Sequence, residues 1–496
     1  MNFIDRFLNN ITMYRLVMYY LIILLAIAAI FGAVGILPYS PIAIIFSTLF
    51  LVLTAWAASG ICATIMKVPQ NSESAYITAL ILALIITPGL PNDASTVIFL
   101  AWAAVLAMAS KYVLTIDKKH IFNPAALAAA VTALAFGGTA SWWIGGNLAM
   151  LAFVIVGGAL ILRKIQRFDL ALTFLVFALA SDVVTHIGFD PVSTIEKALV
   201  HTPLFFFASI MLTEPVTTPP TRRWRMIYGA IVGALFSPFI AVGAVTSSPE
   251  LALLVGNIFS YIVSPKGKRV LTLKEKESIS GDIHHFTFTP DKKLSFRPGQ
   301  YLEWTLGHEK VDGRGNRRYF TIASSPTEDT LQFGIKFYEP SSSFKKKLHS
   351  LKPGDTIVAG ALAGDFTLPK DPSQKLAFIA GGIGITPFRS MVKDLVDRGE
   401  QRDAVLFYSN RTAGEIAYRD VFDEAAHKIG LKTDYIITGN GKRIDAETIK
   451  RDIPDYHERM FYISGTHAMT NAFHKTLREM GVPMTHIKTD FFPGFA

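Results

Sequence analysis

Between Ala380 and Pro387 the chain reads Ala-Gly-Gly-Ile-Gly-Ile-Thr-Pro, and glycines at 381, 382 and 384 remove the Cβ atoms from a turn that can then close on a pyrophosphate. A glycine turn alone is weak evidence, so its setting matters. Lys375-Leu-Ala-Phe-Ile-Ala380 reads as a buried strand leading into it. Strand and helix patterns then alternate through Val405-Leu-Phe-Tyr408 and Met460-Phe-Tyr-Ile463. This predicts an α/β nucleotide-binding domain over 373–496 whose parallel sheet holds a dinucleotide at its carboxyl edge.

Other residues define what the chain cannot carry. Its one cysteine, Cys62, excludes an internal disulfide, a four-thiolate iron–sulfur cluster and a cysteine-based zinc site. Any electron carrier must therefore be organic or haem, and no metal site is expected. The first half has only His120, His186 and His201, each near the end of an apolar segment, whereas a two-haem path needs paired histidines on facing helices. Asp182 and Glu214 are ionisable groups within apolar sequence, which makes them candidate ion-binding or proton-relay residues, with hydration at an interface as the plainer alternative.

These groups need two kinds of scaffold, and the sequence changes character near residue 265. Before it, about ten apolar segments (16–37, 41–66, 74–88, 94–110, 122–136, 142–162, 168–187, 203–213, 226–245 and 251–263) predict a multi-pass α-helical membrane domain over 1–265. Asp5, Asn9 and Asn10 precede the first of them without a small-residue cleavage site, so it reads as a retained helix. If every segment crosses once from a cytoplasmic start, the inside loops hold Lys111, Arg163, Lys164, Arg167, Arg222 and Arg223 among others, and the outside loops only Lys197. That asymmetry predicts a protein of the cell membrane whose C-terminal half faces the cytoplasm. It also accounts for much of the net charge of +9, so nucleic-acid binding is not expected.

The short segments fall in corresponding places when the ten are split into two sets of five: Leu84-Ile-Ile-Thr-Pro88 ends the third and Ile210-Met-Leu-Thr-Glu-Pro215 the eighth. An odd number of spans per set predicts inverted five-helix repeats whose broken helices meet near the midplane. After Lys268, period-two alternation with turns at Arg297-Pro-Gly299 and Lys352-Pro-Gly-Asp355 predicts a small antiparallel β-barrel over 268–371.

Phe122-Asn-Pro-Ala-Ala126, Leu212-Thr-Glu-Pro-Val-Thr-Thr-Pro219, Tyr228-Gly229 and Gly256-Asn-Ile-Phe259 give residues 1–265 a resemblance to the membrane-subunit family shared by the sodium-translocating NADH:quinone reductase and the Rnf complex. The resemblance implies a flavin such as FMN or riboflavin, or a quinone, within the bilayer, with Asn123 and Thr213 as candidate contacts. Family members esterify FMN to a threonine in Ser-Gly-Ala-Thr. Here that place reads Asp190-Pro-Val-Ser-Thr-Ile-Glu-Lys197, with Thr194 as the candidate but without the small residues around it.

Arg318-Tyr-Phe-Thr321, the glycine turn, Ser464-Gly-Thr-His-Ala-Met469 and Asp490-Phe-Phe-Pro-Gly-Phe495 make 268–496 resemble the ferredoxin-NADP reductase superfamily. The resemblance implies that Arg318 pairs with the FAD pyrophosphate, that Tyr319 and Phe320 supply aromatic surface, and that Thr321 reaches the flavin N5 region. Phenylalanine at 320 replaces the usual tyrosine. Ser343 and Lys345, in Ser341-Ser-Ser-Phe-Lys-Lys-Lys347, fall where the family meets the second FAD phosphate. Thr386 and Pro387 face the nicotinamide, Met469 belongs to the family's Cys-Gly-Pro-x-x-Met, Ser464 replaces its cysteine, Asp490 polarises the nicotinamide or Ser464, and Phe495 covers the flavin. Arg411 follows a strand where it can meet a 2′-phosphate, but NADH enzymes of the family share it, so NADH and NADPH stay open. The combined expectation is an FAD-dependent NAD(P)H oxidoreductase, without an iron–sulfur cluster, feeding a membrane flavin or quinone, with ion coupling open; the alternatives are a haem-containing transmembrane ferric reductase and a transporter regulated by a flavin reductase domain.

Overall fold

A computed structural model describes residues 4, 7–8, 11–68, 70–116, 119–136, 140–237, 241–242, 245–265, 267–280, 282–308, 310–312 and 314–492. The chain separates into two compact units that meet in sequence at Gly267 and Lys268.

In the first unit the helices are α1 (Met13–Ala33), α2 (Pro41–Ile65), α3 (Ser72–Ile85), α4 (Ala94–Val113), α5 (Pro124–Phe136), α6 (Leu148–Ile165), α7 (Phe168–Thr185), α8 (Pro191–His201), α9 (Leu204–Phe206), α10 (Arg222–Ala234) and α11 (Pro249–Val263). Among the described residues, α1, α2, α4, α6 and α7 are long and apolar enough to cross a membrane, while α3, α5 and α11 are shorter apolar helices. Of the ten apolar segments in the sequence, these five are thus the ones that span by length alone. Starts follow local chemistry: Ser40, Asp93 and Ser248 cap α2, α4 and α11 with their side-chain oxygens, and Pro41 and Pro249 occupy first-turn positions where no N–H is needed.

Three boundaries differ from the sequence reading. The segment expected at 142–162 becomes helical only at Leu148, because Trp142, with φ of 48°, turns the chain beneath the end of α3. The segment expected at 226–245 is helical over Arg222–Ala234, and Ala241–Val242 then pairs with Val245–Thr246 as a minimal hairpin. The third difference is α8, which lies in what read as an outside loop and is capped by Asp190.

Both predicted breaks are present. Ile86 is extended two residues before Pro88, ending α3. The carbonyls left open there are satisfied by neighbours: Trp142 N donates to Ile85 O at 2.9 Å and Trp143 Nε1 to Ala83 O at 3.0 Å. An apolar surrounding demands this pairing. Helix α9 continues as one π turn over Phe207–Met211, with Leu212 N bonded to Phe207 O, and stops before Pro215.

The second unit opens with a six-stranded antiparallel sheet: β1 (Arg269–Ser280), β2 (Ile283–Pro290), β3 (Tyr301–Thr305), β4 (Arg317–Thr321), β5 (Leu331–Lys336) and β6 (Thr356–Ala363), in the order β4-β3-β6-β1-β2-β5. Ala323 N donates to Gln332 O at 2.8 Å, drawing the two edge strands together into the expected barrel. Trp304, Phe288 and Phe333 fill its interior, and α12 (Ser343–His349) covers it with Phe344 and Leu348.

There follow β7 (Leu376–Gly381), α13 (Thr386–Arg398), β8 (Ala404–Asn410), α14 (Arg419–Ile429), β9 (Lys432–Ile437), α15 (Ala446–Asp452), β10 (Met460–Thr466), α16 (His467–Glu479) and β11 (Ile487–Phe492). All five strands are parallel, in the order β9-β8-β7-β10-β11, so β7 is central and every strand end faces one edge. Its apolar run, Leu376-Ala-Phe-Ile-Ala380, is buried on both faces, as a parallel sheet covered by helices requires.

Candidate functional site

At the carboxyl edge of the parallel sheet the glycine turn takes the form of a single 3₁₀ turn, Gly382–Ile385, leading directly into α13. Gly382 has φ of +52°, which favours glycine, and a Cβ on Gly384 would lie 2.4 Å from the carbonyl oxygen of Ser464. The turn therefore packs against the end of β10. There Ser464 is wholly buried, and its hydroxyl has no hydrogen-bond partner among the described residues. Ala380 is its register partner on β7 and Asp490 on β11. Met469 lies with its sulfur against Gly381 and Gly465. Thr386 is buried and donates to Ile383 O at 3.2 Å, beside the buried Pro387. The structure thus brings Gly381, Gly382, Gly384, Thr386, Pro387, Ser464, Met469 and Asp490 to one edge. Phe495 lies outside the described residues.

Arg411 follows β8 with an exposed side chain, and its backbone N–H donates to Glu415 Oε2 at 3.1 Å. Sequence reasoning missed its neighbour Asn410, which is buried at the end of β8 with its side chain beside the Tyr408 hydroxyl. A buried polar group at the sheet edge is the signal, and it is visible only once burial is known.

On the barrel, β4 divides its motif between two environments. Arg318 is buried with its guanidinium 5.1 Å from the Phe344 ring, and Phe320 packs on Trp304 at 4.6 Å. Tyr319 is exposed, whereas Thr321 is buried at the strand end. Arg318 Nη1 donates to Arg314 O at 2.8 Å. Burial pushes the guanidinium down to about 10. Nearby, Lys345 is buried, donates to Lys336 O at 2.8 Å and is pushed down to about 8 by burial and by the charges of Arg318 and Arg314. Two cations held out of water and repelling each other suit an anion. Ser343 is occupied locally: its N–H donates to Asp312 Oδ2 at 2.8 Å and its hydroxyl takes the N–H of Asp312 at 3.0 Å.

In the membrane unit the resemblance motifs converge. Asn123 caps α5 through Ala125 and Ala126, its own N–H donates to Asn257 Oδ1 at 2.8 Å, and Asn257 Nδ2 donates to Tyr228 Oη at 3.3 Å. Glu214 accepts from Thr217 Oγ1 at 2.9 Å and lies 3.2 Å from His120 Nε2. Lys111, which the sequence presented as a loop charge, instead donates to Ser74 O, Ser74 Oγ and Thr78 Oγ1 at 2.7–2.9 Å and acts electrostatically on Glu214. Thr213 is buried and bonded to Ser209 O at 2.7 Å. Asp182 belongs to a different cluster, accepting from Ser237 Oγ at 3.1 Å with His186 at 3.6 Å. Thr194 is buried in α8 and donates to Asp190 O at 3.1 Å.

Residues 143–266 match the NQR2, RnfD, RnfE family, 270–367 an oxidoreductase FAD-binding domain and 378–475 an oxidoreductase NAD-binding domain. The chain carries these three domains in that order. Flavohemoprotein of Oceanobacillus iheyensis is 26% identical over 242 residues, 46% of this chain and 59% of its own length. The glycine betaine monooxygenase reductase subunit of Chromohalobacter salexigens is 26% identical over 226 residues, 42% of this chain and 60% of its own. The chain thus spans about three fifths of the length of these relatives. The FAD/NAD-binding domain of nitric oxide dioxygenase from Vibrio cholerae O1 biovar El Tor matches at 21% identity over 45% of this chain and 98% of that one, with a TM-score of 0.40. By the family matches, residues 270–475 are an FAD- and NAD-binding oxidoreductase module that follows a segment of a membrane family.

Proposed function

We propose that this protein is a membrane NAD(P)H dehydrogenase that delivers electrons from the soluble half to a flavin or quinone in the membrane unit. The observation that carries this reading is the order of the three matched domains in one polypeptide. An FAD-binding barrel with its own dinucleotide sheet has an electron donor, and a membrane segment of the NQR2, RnfD, RnfE family gives those electrons a destination.

The residues fit such groups. Arg318 and Lys345 would meet the FAD phosphates, because burial raises the cost of holding two positive charges together and an anion relieves it. Tyr319, exposed on β4, and Phe320 beside it, backed by the buried Trp304, would offer aromatic surface, and Thr321 a hydroxyl. Gly382 and Gly384 would admit the dinucleotide pyrophosphate, and Ser464 would give its unpartnered hydroxyl to the nicotinamide. An FAD held by these residues would supply a hydride acceptor for NAD(P)H. What the chain contributes is orientation and exclusion of water.

In the membrane unit, Asn123, Tyr228 and Asn257 would line the acceptor's surroundings, and the Glu214–His120 pair, with Lys111 near it, would hold or move a proton or bind sodium. Asp182 is a second ion-binding candidate near a helix end. The excess of basic residues in alternate loops supports a cytoplasmic position for the soluble half. Histidines do not favour haem, since His120 is engaged by Glu214 and His186 by Asp182.

The test is an optical spectrum of the purified protein followed by cofactor extraction and mass spectrometry. FAD with a second flavin or a quinone is the expected result. A sharp Soret band, or FAD with no membrane acceptor and no reduction of added quinone, would overturn it.

A further inference from the structure

Tyr418 precedes α14 with φ of 59°, a left-handed backbone that a bulky side chain adopts only where its surroundings hold it. What holds its side chain includes the barrel. The Tyr418 hydroxyl lies 3.0 Å from Nδ1 of His285 on β2, and the two rings meet edge to face with centroids 5.6 Å apart. Arg389 on α13 stands 5.7 Å from the Tyr418 ring, donates from Nη1 to Ala323 O at 3.0 Å and grips Glu328. Ser390 donates to Ser324 O at 2.6 Å. The loop that leaves Thr321 is thus bonded to the helix that leaves the glycine turn.

Gly334 on β5 shows how close this approach is. A Cβ there would lie 2.5 Å from the Tyr418 hydroxyl, 3.0 Å from Thr386 Cγ2 and 3.1 Å from Ile383 Cδ1. One missing methyl group therefore admits Tyr418 and the glycine turn to the barrel together.

We infer that Tyr418 is a positioning residue: its bond to His285 sets how closely the dinucleotide domain approaches the barrel, and so the gap that hydride must cross. This rests on the NAD(P)H-to-FAD reading above. The protonation states suit the bond. Burial, helped by the Arg389 charge, pushes His285 down to about 4, while Glu328, Glu275 and Asp420 pull the other way. Burial pushes the Tyr418 hydroxyl up. At neutral pH an uncharged imidazole therefore accepts from a phenol. Protonation of His285 removes that acceptor, and the contact should weaken as pH falls toward about 4.

The experiment compares full-length wild type, Tyr418→Phe and Gly334→Ala in lipid nanodiscs. Without nucleotide, hydrogen–deuterium exchange should rise at β2 and at the start of α14 in both variants. With NADH or NADPH, flavin reduction in stopped flow should slow about tenfold, as expected when a reacting pair is displaced, with nucleotide affinity changed less than about threefold. The primary deuterium isotope effect on that phase should change. His285→Gln, which keeps an acceptor, should fall between wild type and Tyr418→Phe. Unchanged exchange and unchanged reduction in both variants would overturn the inference while leaving the dehydrogenase reading intact. Failure of wild-type flavin to be reduced by either nucleotide would overturn the dehydrogenase reading and the inference with it.

Discussion

The backbone N–H of Asn123 donates to Oδ1 of Asn257 at 2.8 Å, so the residue that caps α5 is itself held by a side chain from the middle of α11. Asn257 is fully buried and also reaches Tyr228. Asn257→Ala would leave a buried N–H without its partner. The expected loss is about 1–3 kcal/mol of stability in the membrane unit, read as a lower melting temperature in detergent. Melting at the wild-type temperature would show that this tie contributes nothing.

Arg318→Ala should weaken FAD binding by roughly ten- to a hundredfold, because a charge-assisted contact is worth about 1.5–3 kcal/mol. Arg318→Lys should retain only part of the affinity, since an ammonium lacks the planar fork. Titration of flavin-depleted protein with FAD, followed by flavin fluorescence, measures both. Equal affinity in all three proteins would remove Arg318 from the flavin site.

Lys345 gives the site a pH dependence. Its folded-state value is lowered to about 8, and an ammonium beside a phosphate is favoured, so FAD should bind most tightly below that value. Above it the affinity should fall by as much as about tenfold per pH unit until the value in the complex is passed. Stability without FAD runs the other way. Because burial penalises the charged form, the cost is present in full below about 8 and is relieved as pH rises from there toward 10.5. Lys345→Met should flatten both profiles.

Ser464→Ala separates a ligand-binding hydroxyl from a structural one. Because this hydroxyl has no partner among the described residues, its removal should leave the melting temperature of the C-terminal unit unchanged or raise it slightly. Hydride transfer should nevertheless slow by roughly tenfold. A large loss of stability would mean that the hydroxyl supports the fold instead.

Much of this arrangement was legible because local rules and the global fold agree. The glycine turn after Lys375–Ala380 announced the sheet edge, and Pro88 and Pro215 announced the broken helices. Alternation after Arg269 announced the barrel, since one face of each strand must be apolar. Misreadings arose where hydropathy cannot see geometry. Trp142 and Trp143 are apolar in composition, yet they form a turn that satisfies the carbonyls of α3, so the predicted helix began six residues early. Residues 238–245 extended an apolar run beyond the end of α10, and nothing in hydropathy marks that stop. Lys111 looked like a loop charge because its acceptors, Ser74 and Thr78, lie on another helix. The partnership of His120 with Glu214 and of His285 with Tyr418 joins residues 94 and 133 positions apart, beyond the reach of any spacing rule.

The proposed function requires electrons from NAD(P)H to leave the C-terminal unit for an acceptor in the bilayer. The most direct measurement is anaerobic stopped-flow spectroscopy of the full-length protein in quinone-containing proteoliposomes after NADH or NADPH is added. Flavin absorbance should bleach and then recover as a membrane flavin or the quinone becomes reduced. Bleaching that persists in wild type while every membrane acceptor stays oxidised would contradict the proposed function.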